Sequence, residues 1–202
     1  MHPASPVHRR RHRVKTKYEQ CGRHMAMTRK ASIGEFKLQF EPADIRKLAK
    51  SYGPEEDDVA LDAGRRIRAG EYTRKHLSEI FEWKTKGRGR SRLLRNSDKE
   101  IADALSLAVS ANTERAAVAV LLGLQGVHVP VASAVLTAID PERYTVIDFR
   151  ALEALGSDSV DRSVNFYLRY LDACRRIAKE NRVKLRDLDR ALWQWSNEHL
   201  VQ

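Results

Sequence analysis

The stretch that decides the fold runs from residue 121 to residue 156 and reads LLGLQGVHVPVASAVLTAIDPERYTVIDFRALEALG. It begins as the end of an apolar helix, turns over residues 123–129, and restarts at Pro130 with the apolar run VASAVLTAI. Proline suits a first helical turn, where its missing N–H has no intrahelical partner to lose. A single carboxylate, Asp148, follows the short apolar approach TVI. The pattern predicts two apolar helices joined by a tight hairpin, with an acidic residue at the start of a third helix.

Helical periodicity continues on both sides of this stretch and predicts an all-α fold. Phe36, Leu38 and Phe40 alternate, so residues 35–41 are either a short strand or an extended lead-in. Cys174 falls on an apolar helix stripe, which predicts a core residue rather than a nucleophile. The predicted helices cover about residues 42–52, 55–69, 73–84, 97–111, 114–122, 130–139, 149–155 and 162–181, and a last helix starts at 185.

The net charge of +10 is unevenly distributed along the 202 residues. Residues 1–30 contain nine Lys or Arg, one acid and no apolar periodicity, which predicts a disordered basic arm. That arm is either a solvated tail or a nonspecific phosphate-binding segment. Residues 31–202 are nearly balanced in charge, and we expect one helical domain there with the hairpin at about 114–140.

The net positive charge of the domain is concentrated in residues 84–95, KTKGRGRSRLLR, called here the basic segment. It contains six basic residues and no acid, and its two glycines predict a loop without a helix. The segment is either a solvated surface loop or a phosphate-contacting loop. The candidate DNA contacts in it are Lys84, Lys86, Arg88, Arg90 and Arg92.

Composition excludes several classes of protein. Two cysteines cannot form a disulfide framework or a four-cysteine iron–sulfur or metal site. No apolar run approaches the roughly 20 residues that cross a bilayer, so we expect no membrane partner. The N-terminus has arginines but no apolar core of a secretory signal, which makes a cytoplasmic protein the expectation and leaves an organellar transit peptide as the alternative.

The hairpin and Asp148 together resemble the helix-hairpin-helix DNA glycosylase superfamily, which includes endonuclease III and the 8-oxoguanine glycosylases. The sequence QGVHVPVA at residues 125–132 lies over the family's P-G-V-G-x-K-x-A hairpin, and the dipeptide before Phe149 lies over its V-D. In that family the hairpin binds a DNA phosphate through backbone N–H groups, as helix N-termini can. The resemblance implies DNA contacts at Gly126, Val127, His128, Val129 and Ala132.

The resemblance also implies that Asp148 is the catalytic carboxylate. Cleaving an N-glycosidic bond develops positive charge on the sugar, which an ionised carboxylate stabilises. Pro130 occupies the place of the family's Schiff-base lysine, so the implied enzyme is monofunctional and leaves an abasic site uncut. His128 replaces a hairpin glycine, which would cost about 1 kcal/mol if its φ had to be positive.

Alternatives accompany each candidate residue. Asp is a good helix N-cap, so Asp148 either caps the helix that starts at Phe149, or is catalytic, or both. Arg150 either binds a phosphate or pairs with Glu153. Trp83 is either a core aromatic at a helix end or a stacking surface. The alternating charges of residues 186–190 favour a salt-bridged surface.

Three functions are compatible with the sequence. The first is a base-excision-repair glycosylase acting on double-stranded DNA, a cytoplasmic protein associated with the nucleoid. The second is a noncatalytic DNA-binding protein on the same scaffold. The third is an α-helical protein-interaction module. We expect a monomer that needs no cofactor and no metal.

Overall fold

The computed structural model describes residues 36–53, 55 and 57–199, and all regular secondary structure in these ranges is helical. The predicted all-α class is confirmed. Contacts between Cα atoms group Gly34–Gln202 into one unit. The predicted basic arm, residues 1–30, lies outside the described residues. None of the helices in the described ranges is long and apolar enough to cross a membrane.

The chain enters the described domain as an extended lead-in, and no strand forms within the described residues. Lys37 donates its backbone N–H to the carbonyl of Leu155 at 3.0 Å. Phe36 is buried, with its ring 5.6 Å from that of Phe166 and 5.9 Å from that of Tyr170. The alternating apolar residues therefore anchor an extended segment rather than a sheet.

Five helices form the first half of the domain, after a 3-10 turn at Pro42–Asp44. The predicted N-caps are confirmed, since Thr73 accepts from the N–H of His76 and Ser97 forms a capping box with Glu100. The helices are α1 (Ile45–Tyr52), α2 (Asp58–Arg68), α3 (Arg74–Thr85), α4 (Arg90–Leu93) and α5 (Asp98–Ser110).

Five more helices follow, and the first two enclose the hairpin. Thr113 caps the first of them through the N–H of Ala116, and Cys174 is buried in the fourth as predicted. Burial raises the pKa of the Cys174 thiol, which keeps it protonated. The helices are α6 (Glu114–Leu121), α7 (Val129–Ile139), α8 (Phe149–Ala154), α9 (Val164–Glu180) and α10 (Leu185–His199).

Helix α7 is the centre of the domain and packs against α2, α3 and α6. All its residues except Pro130 are buried. A Cβ atom on Gly64 of α2 would lie 2.0 Å from the carbonyl oxygen of Ala138, so the two helices approach more closely than any other residue would allow. The hydroxyl groups of Ser133 and Thr137 in α7 both donate to carbonyls of the same helix, and Thr137 donates to that of Ser133 at 2.8 Å.

Two buried contacts fix the chain that leads to Asp148. The phenol of Tyr170 donates to the carbonyl of Val146 at 2.7 Å. The N–H of Ile147 donates to Ser133 Oγ at 3.1 Å, which ties this chain to the second hairpin helix. The position of Asp148 is thus set by the core and not by a surface loop.

The prediction of a basic segment without a helix is wrong, because residues 90–93 form α4. Gly87 and Gly89 both adopt positive φ, at 79° and 84°, and the turn that they allow separates α3 from α4. Leu93 is 1% exposed and anchors α4 in the core. The glycines therefore end one helix and permit the start of another.

Candidate functional site

A cavity of about 460 Å³ opens where five parts of the domain meet, and it contains Asp148. We call it the Asp148 cavity. The end of α1 contributes Tyr52, and the end of α3 contributes Trp83 and Lys84. The basic segment, the start of α8 and one face of α10 complete the lining. Its volume lies in the range of small-molecule sites, which is about 300–1,000 Å³.

Asp148 is both a helix cap and a cavity residue. Its Oδ1 accepts from the N–H of Ala151 at 2.9 Å, which caps α8. Its Oδ2 lies 2.8 Å from Nζ of Lys84, and the two side chains are 21% and 13% exposed. Each carboxylate oxygen can accept two hydrogen bonds, so both oxygens keep capacity for a further donor. The two roles weighed for Asp148 are thus compatible in one geometry.

The environment of Asp148 keeps its carboxyl group ionised. Burial by itself raises the pKa, but the ammonium group of Lys84 and the N–H of Ala151 outweigh burial and lower the pKa below its ordinary value. Asp189 on α10 is shifted the other way. Burial and the nearby charge of Asp148 raise the pKa of Asp189 in spite of the opposing Arg186. The pKa values of two carboxyl groups in one cavity are thus shifted in opposite directions, that of Asp148 down and that of Asp189 up.

The prediction that residues 186–190 form a salt-bridged surface is wrong for Arg186 and Asp189, which are buried, and holds only for the pair of Arg190 with the partly exposed Asp187 at 3.8 Å. Asp57 is fully buried and accepts from Nε of Arg186 at 2.9 Å and from Nη2 of Arg190 at 3.0 Å. Arg186 also pairs with Asp189. The partner Asp57 comes from the turn before α2, far earlier in the chain, where no helical spacing indicates it.

Arg150 packs between two aromatic rings. Its guanidinium carbon lies 5.2 Å from the ring centre of Phe149 and 4.9 Å from that of Trp193. Its Nη1 is buried and has no hydrogen-bond partner among the described residues. The predicted pair with Glu153 does not form, because Glu153 accepts instead from the hydroxyl of Ser196.

Trp83 is half-buried at the end of α3. It packs against the edge of the core, and the guanidinium of Arg186 lies 5.3 Å from its ring centre. The ring also lines the Asp148 cavity. Trp83 is therefore a core aromatic on one part of its surface and is available for stacking on another.

The hairpin differs from the expectation at His128. Its φ is −111°, in the extended region, so the histidine pays no backbone cost there. The positive φ of 84° belongs to Gly126, where a Cβ would lie 2.9 Å from the backbone nitrogen of Leu93. The carbonyl of Gln125 accepts from the side chain of Asn96 at 3.0 Å. Hairpin and basic segment thus pack directly against each other.

Only some of the hairpin residues predicted to bind DNA have groups free to do so. The side chain of Ala132 is fully buried, and its N–H donates to the carbonyl of His128 at 2.9 Å. Val127 is buried and donates its N–H to Leu124 at 3.1 Å. Ala132 and Val127 are therefore excluded as contacts, because neither their side chains nor their amides are available. The N–H groups of Gly126, His128 and Val129 donate to no other described residue.

Four cations of the basic segment are exposed and form no ion pair with any carboxylate of the described residues: Lys86, Arg88, Arg90 and Arg92. Lys86 and Arg88 line the Asp148 cavity, while Arg92 lies beside Gly126. Arg90 lines a larger, more open cavity of about 690 Å³, which also shares Trp83 and Lys86. That larger cavity does not contain Asp148. The hairpin residues do not line the Asp148 cavity. The basic segment lies between them, because Lys86 and Arg88 line the cavity and Arg92 contacts the hairpin.

No family model, no curated protein and no solved structure matches this chain. Its function is therefore inferred from the side chains of the site themselves. Among the described residues, no group of three or more His, Cys, Asp or Glu is arranged to hold a metal ion.

The sequence does not predict the contribution of α10 to the cavity. Arg186, Asp189, Arg190 and Trp193 all line it. Their spacing of i, i+3, i+4 and i+7 places them on one helix face, which is a signal that the sequence contains. A charged stripe with one tryptophan is usually solvated, so the spacing alone does not reveal that α1 and α3 cover this face.

Proposed function

We propose that this protein binds double-stranded DNA and acts as a monofunctional N-glycosylase of the base-excision-repair type, with Asp148 as its catalytic carboxylate. The observation that carries the proposal is the position of Asp148 in a cation-lined, aromatic cavity beside Lys84. The low pKa of Asp148 supports an ionised carboxylate at neutral pH. Such a charge stabilises the cation that develops on a sugar as its base leaves.

The two hydrogen-bonded contacts of Asp148 hold the carboxylate in place during this step. The Ala151 N–H fixes one oxygen and the Lys84 ammonium the other. A fixed charge needs no reorganisation when the sugar cation forms. Pro130 stands where the family's hairpin has its Schiff-base lysine, which supports the monofunctional assignment.

The DNA surface that we propose combines the basic segment with the hairpin. Lys86, Arg88, Arg90 and Arg92 supply exposed positive charge that attracts phosphates. Gly126, His128 and Val129 supply free backbone N–H groups at the start of α7, where the helix dipole also favours an anion. Contact between Gly126 and Arg92 makes these two sets of groups neighbours. We place this activity in the cytoplasm at the nucleoid, in a monomer.

One observation favours the noncatalytic alternative. Asp148 already caps α8 and pairs with Lys84, so its position has a structural reason apart from catalysis. A DNA-binding protein that releases no base would retain both contacts. This second function shares the proposed DNA surface and differs from the first only in chemistry.

The test is release of damaged or mismatched bases from a panel of duplexes, read as alkali-labile abasic sites. Base release by the wild-type protein is the expected result. Strand cleavage without alkali would contradict the monofunctional assignment. Salt-dependent binding without base release would favour the noncatalytic function, and absence of binding would favour the protein-interaction module.

A further inference from the structure

The Asp148 cavity has more positive charge than its own acids neutralise. Within it Lys84 pairs with Asp148, and Arg186 pairs with Asp189. Arg190 pairs with Asp57, just behind the lining. Three lining cations, Lys86, Arg88 and Arg150, have no carboxylate partner among the described residues. The resulting positive potential favours a ligand that brings an anion inside the cavity.

Arg150 indicates where the anion sits. Buried guanidinium N–H groups normally have an acceptor, but Nη1 of Arg150 has none in the part of the chain that the structure describes. The guanidinium carbon lies within 5.2 Å of the ring centre of Phe149 and 4.9 Å of that of Trp193, so both rings pack against it. A planar fork of donors fits the oxygens of a phosphate better than a single point charge does.

The aromatic lining indicates what accompanies the anion. Phe149 is 60% exposed at the start of α8, so part of its ring is open to a ligand. Trp193 meets Tyr52 edge to face at 5.3 Å, which fixes the indole on the cavity wall. Exposed aromatic rings beside cations are the usual means of binding one nucleotide by stacking and charge together.

We propose that the Asp148 cavity binds a nucleoside monophosphate group with its phosphate inside the cavity, on Arg150, Lys86 and Arg88, and its base against Phe149. The group comes either from a free nucleotide or from the phosphorylated end of a DNA strand. The volume of about 460 Å³ admits one such group and not a duplex. The proposal rests on the proposed function for its choice of a nucleic-acid ligand, but binding requires no base release.

Tryptophan fluorescence of the full chain tests this proposal, because Trp83 and Trp193 both line the cavity. We expect saturable quenching by deoxyadenosine monophosphate and binding at least about tenfold weaker by deoxyadenosine, which lacks the charge-assisted contacts. Inorganic phosphate should compete with the nucleotide. Equal affinity for nucleotide and nucleoside, or no binding of either nucleotide or phosphorylated strand, would overturn the proposal.

Two variants make the test specific. Arg150→Gln should weaken nucleotide binding at least about tenfold without changing nucleoside binding. The control is Arg65→Gln, since Arg65 is exposed and, among the described residues, forms an ion pair only with Asp62 on α2. If Arg150→Gln fails to fold, the double variant Lys86→Gln, Arg88→Gln replaces it, because both side chains are exposed. Unchanged nucleotide affinity in the folded variants would show that the phosphate does not bind in the cavity.

The source of the group is read from the same titration. Quenching by the free nucleotide supports a free ligand, and quenching only by a 5′-phosphorylated single-stranded oligonucleotide supports a strand end. An unphosphorylated oligonucleotide that binds as tightly as the phosphorylated one would contradict the proposal. Nucleotide binding without base release from duplexes would retain this inference while the proposed glycosylase function fails.

Discussion

Lys84 and Asp148 lie 64 residues apart in the chain and form an ion pair of 2.8 Å at the edge of the Asp148 cavity. One comes from the last turn of α3 and the other caps α8. The pair offsets the cost of placing a carboxylate where little water reaches it. It links the basic segment, which begins at Lys84, to the proposed catalytic residue.

Lys84→Met should raise the pKa of Asp148, because burial raises that pKa and the ammonium charge that lowers it most is then absent. A lowered native pKa contributes stability above the unfolded value of 3.8 and loses it as pH falls through the native value. The variant should therefore be destabilised by about 2 kcal/mol near neutral pH, and the difference from wild type should shrink as pH falls to 3.8 and below, through the lowered native pKa of Asp148.

Urea unfolding at several pH values measures this difference. Lys75→Met is the matched control, since Lys75 lies on the same helix, is 77% exposed and pairs with Glu79 only at 3.8 Å. A constant difference between Lys84→Met and wild type at all pH values would show that Asp148 is not the group affected.

Asp148→Asn should keep the fold and DNA binding while reducing base release at least about 100-fold. The amide oxygen of Asn can still accept from the Ala151 N–H, so the cap survives. The negative charge that a sugar cation requires is lost. The measurement is base release from the duplex panel, beside DNA affinity. Asp140→Asn is the control, because Asp140 pairs with exposed Arg68 and does not line the cavity. Full activity in Asp148→Asn would remove this residue from the mechanism.

Replacing Lys86, Arg88, Arg90 and Arg92 with Ser should weaken DNA binding and flatten its salt dependence. The slope of log affinity against log salt should change by about one for each phosphate that the variant no longer binds. The comparison is made in a chain lacking residues 1–30, so that the basic arm does not mask the change. Arg65, Arg68, Arg176 and Lys179, which are also exposed, provide a control with the same change of charge. Equal slopes for the two variants would place the DNA surface elsewhere.

Gly64→Ala should destabilise the domain by about 3 kcal/mol, although alanine is favoured over glycine inside a helix. The new Cβ would meet the backbone of Ala138 at 2.0 Å, and a backbone atom cannot rotate away. Gly70→Ala is the comparison, because it adds only the cost of a positive φ of 100° in open space. Thermal unfolding of both variants measures the difference. A smaller loss for Gly64→Ala than for Gly70→Ala would contradict the close packing of α2 on α7.

Asp57→Asn should destabilise the domain by about 3–5 kcal/mol, because Arg186 and Arg190 then lose a buried carboxylate partner. Asp62→Asn removes a carboxylate that is half exposed and should cost less than about 1 kcal/mol. Chemical denaturation of the two variants provides the comparison. Equal losses would show that the buried network contributes no more than a surface pair.

The order and the ends of the helices are predicted well by local sequence. Thr73, Ser97 and Thr113 cap helices where their hydroxyl groups meet the first free N–H groups, and this needs no tertiary contact. The apolar run after Pro130 predicts a buried helix, and α7 is buried along its length. The exception among the helices is α4, since its formation depends on the anchoring of Leu93 in the core.

The candidate site is only partly predictable in the same way. Asp148 and Lys84 are both identified from sequence, one through the hairpin resemblance and one through the basic segment. Their pairing is not, because it depends on how α3 and α8 pack. Nor does the spacing of α10 reveal that Asp57 neutralises Arg186 and Arg190 within the interior.

What the sequence by itself determined is the all-α class, the hairpin between α6 and α7, and the capping position of Asp148, because periodicity and capping act between residues close in the chain. Only the tertiary structure decided that α1, α3, α8 and α10 enclose one cavity, and that Arg186 and Asp189 of α10 are buried. Charged side chains are normally solvated, so burying them requires partners from distant segments. Those partners are brought together only when the whole core has packed.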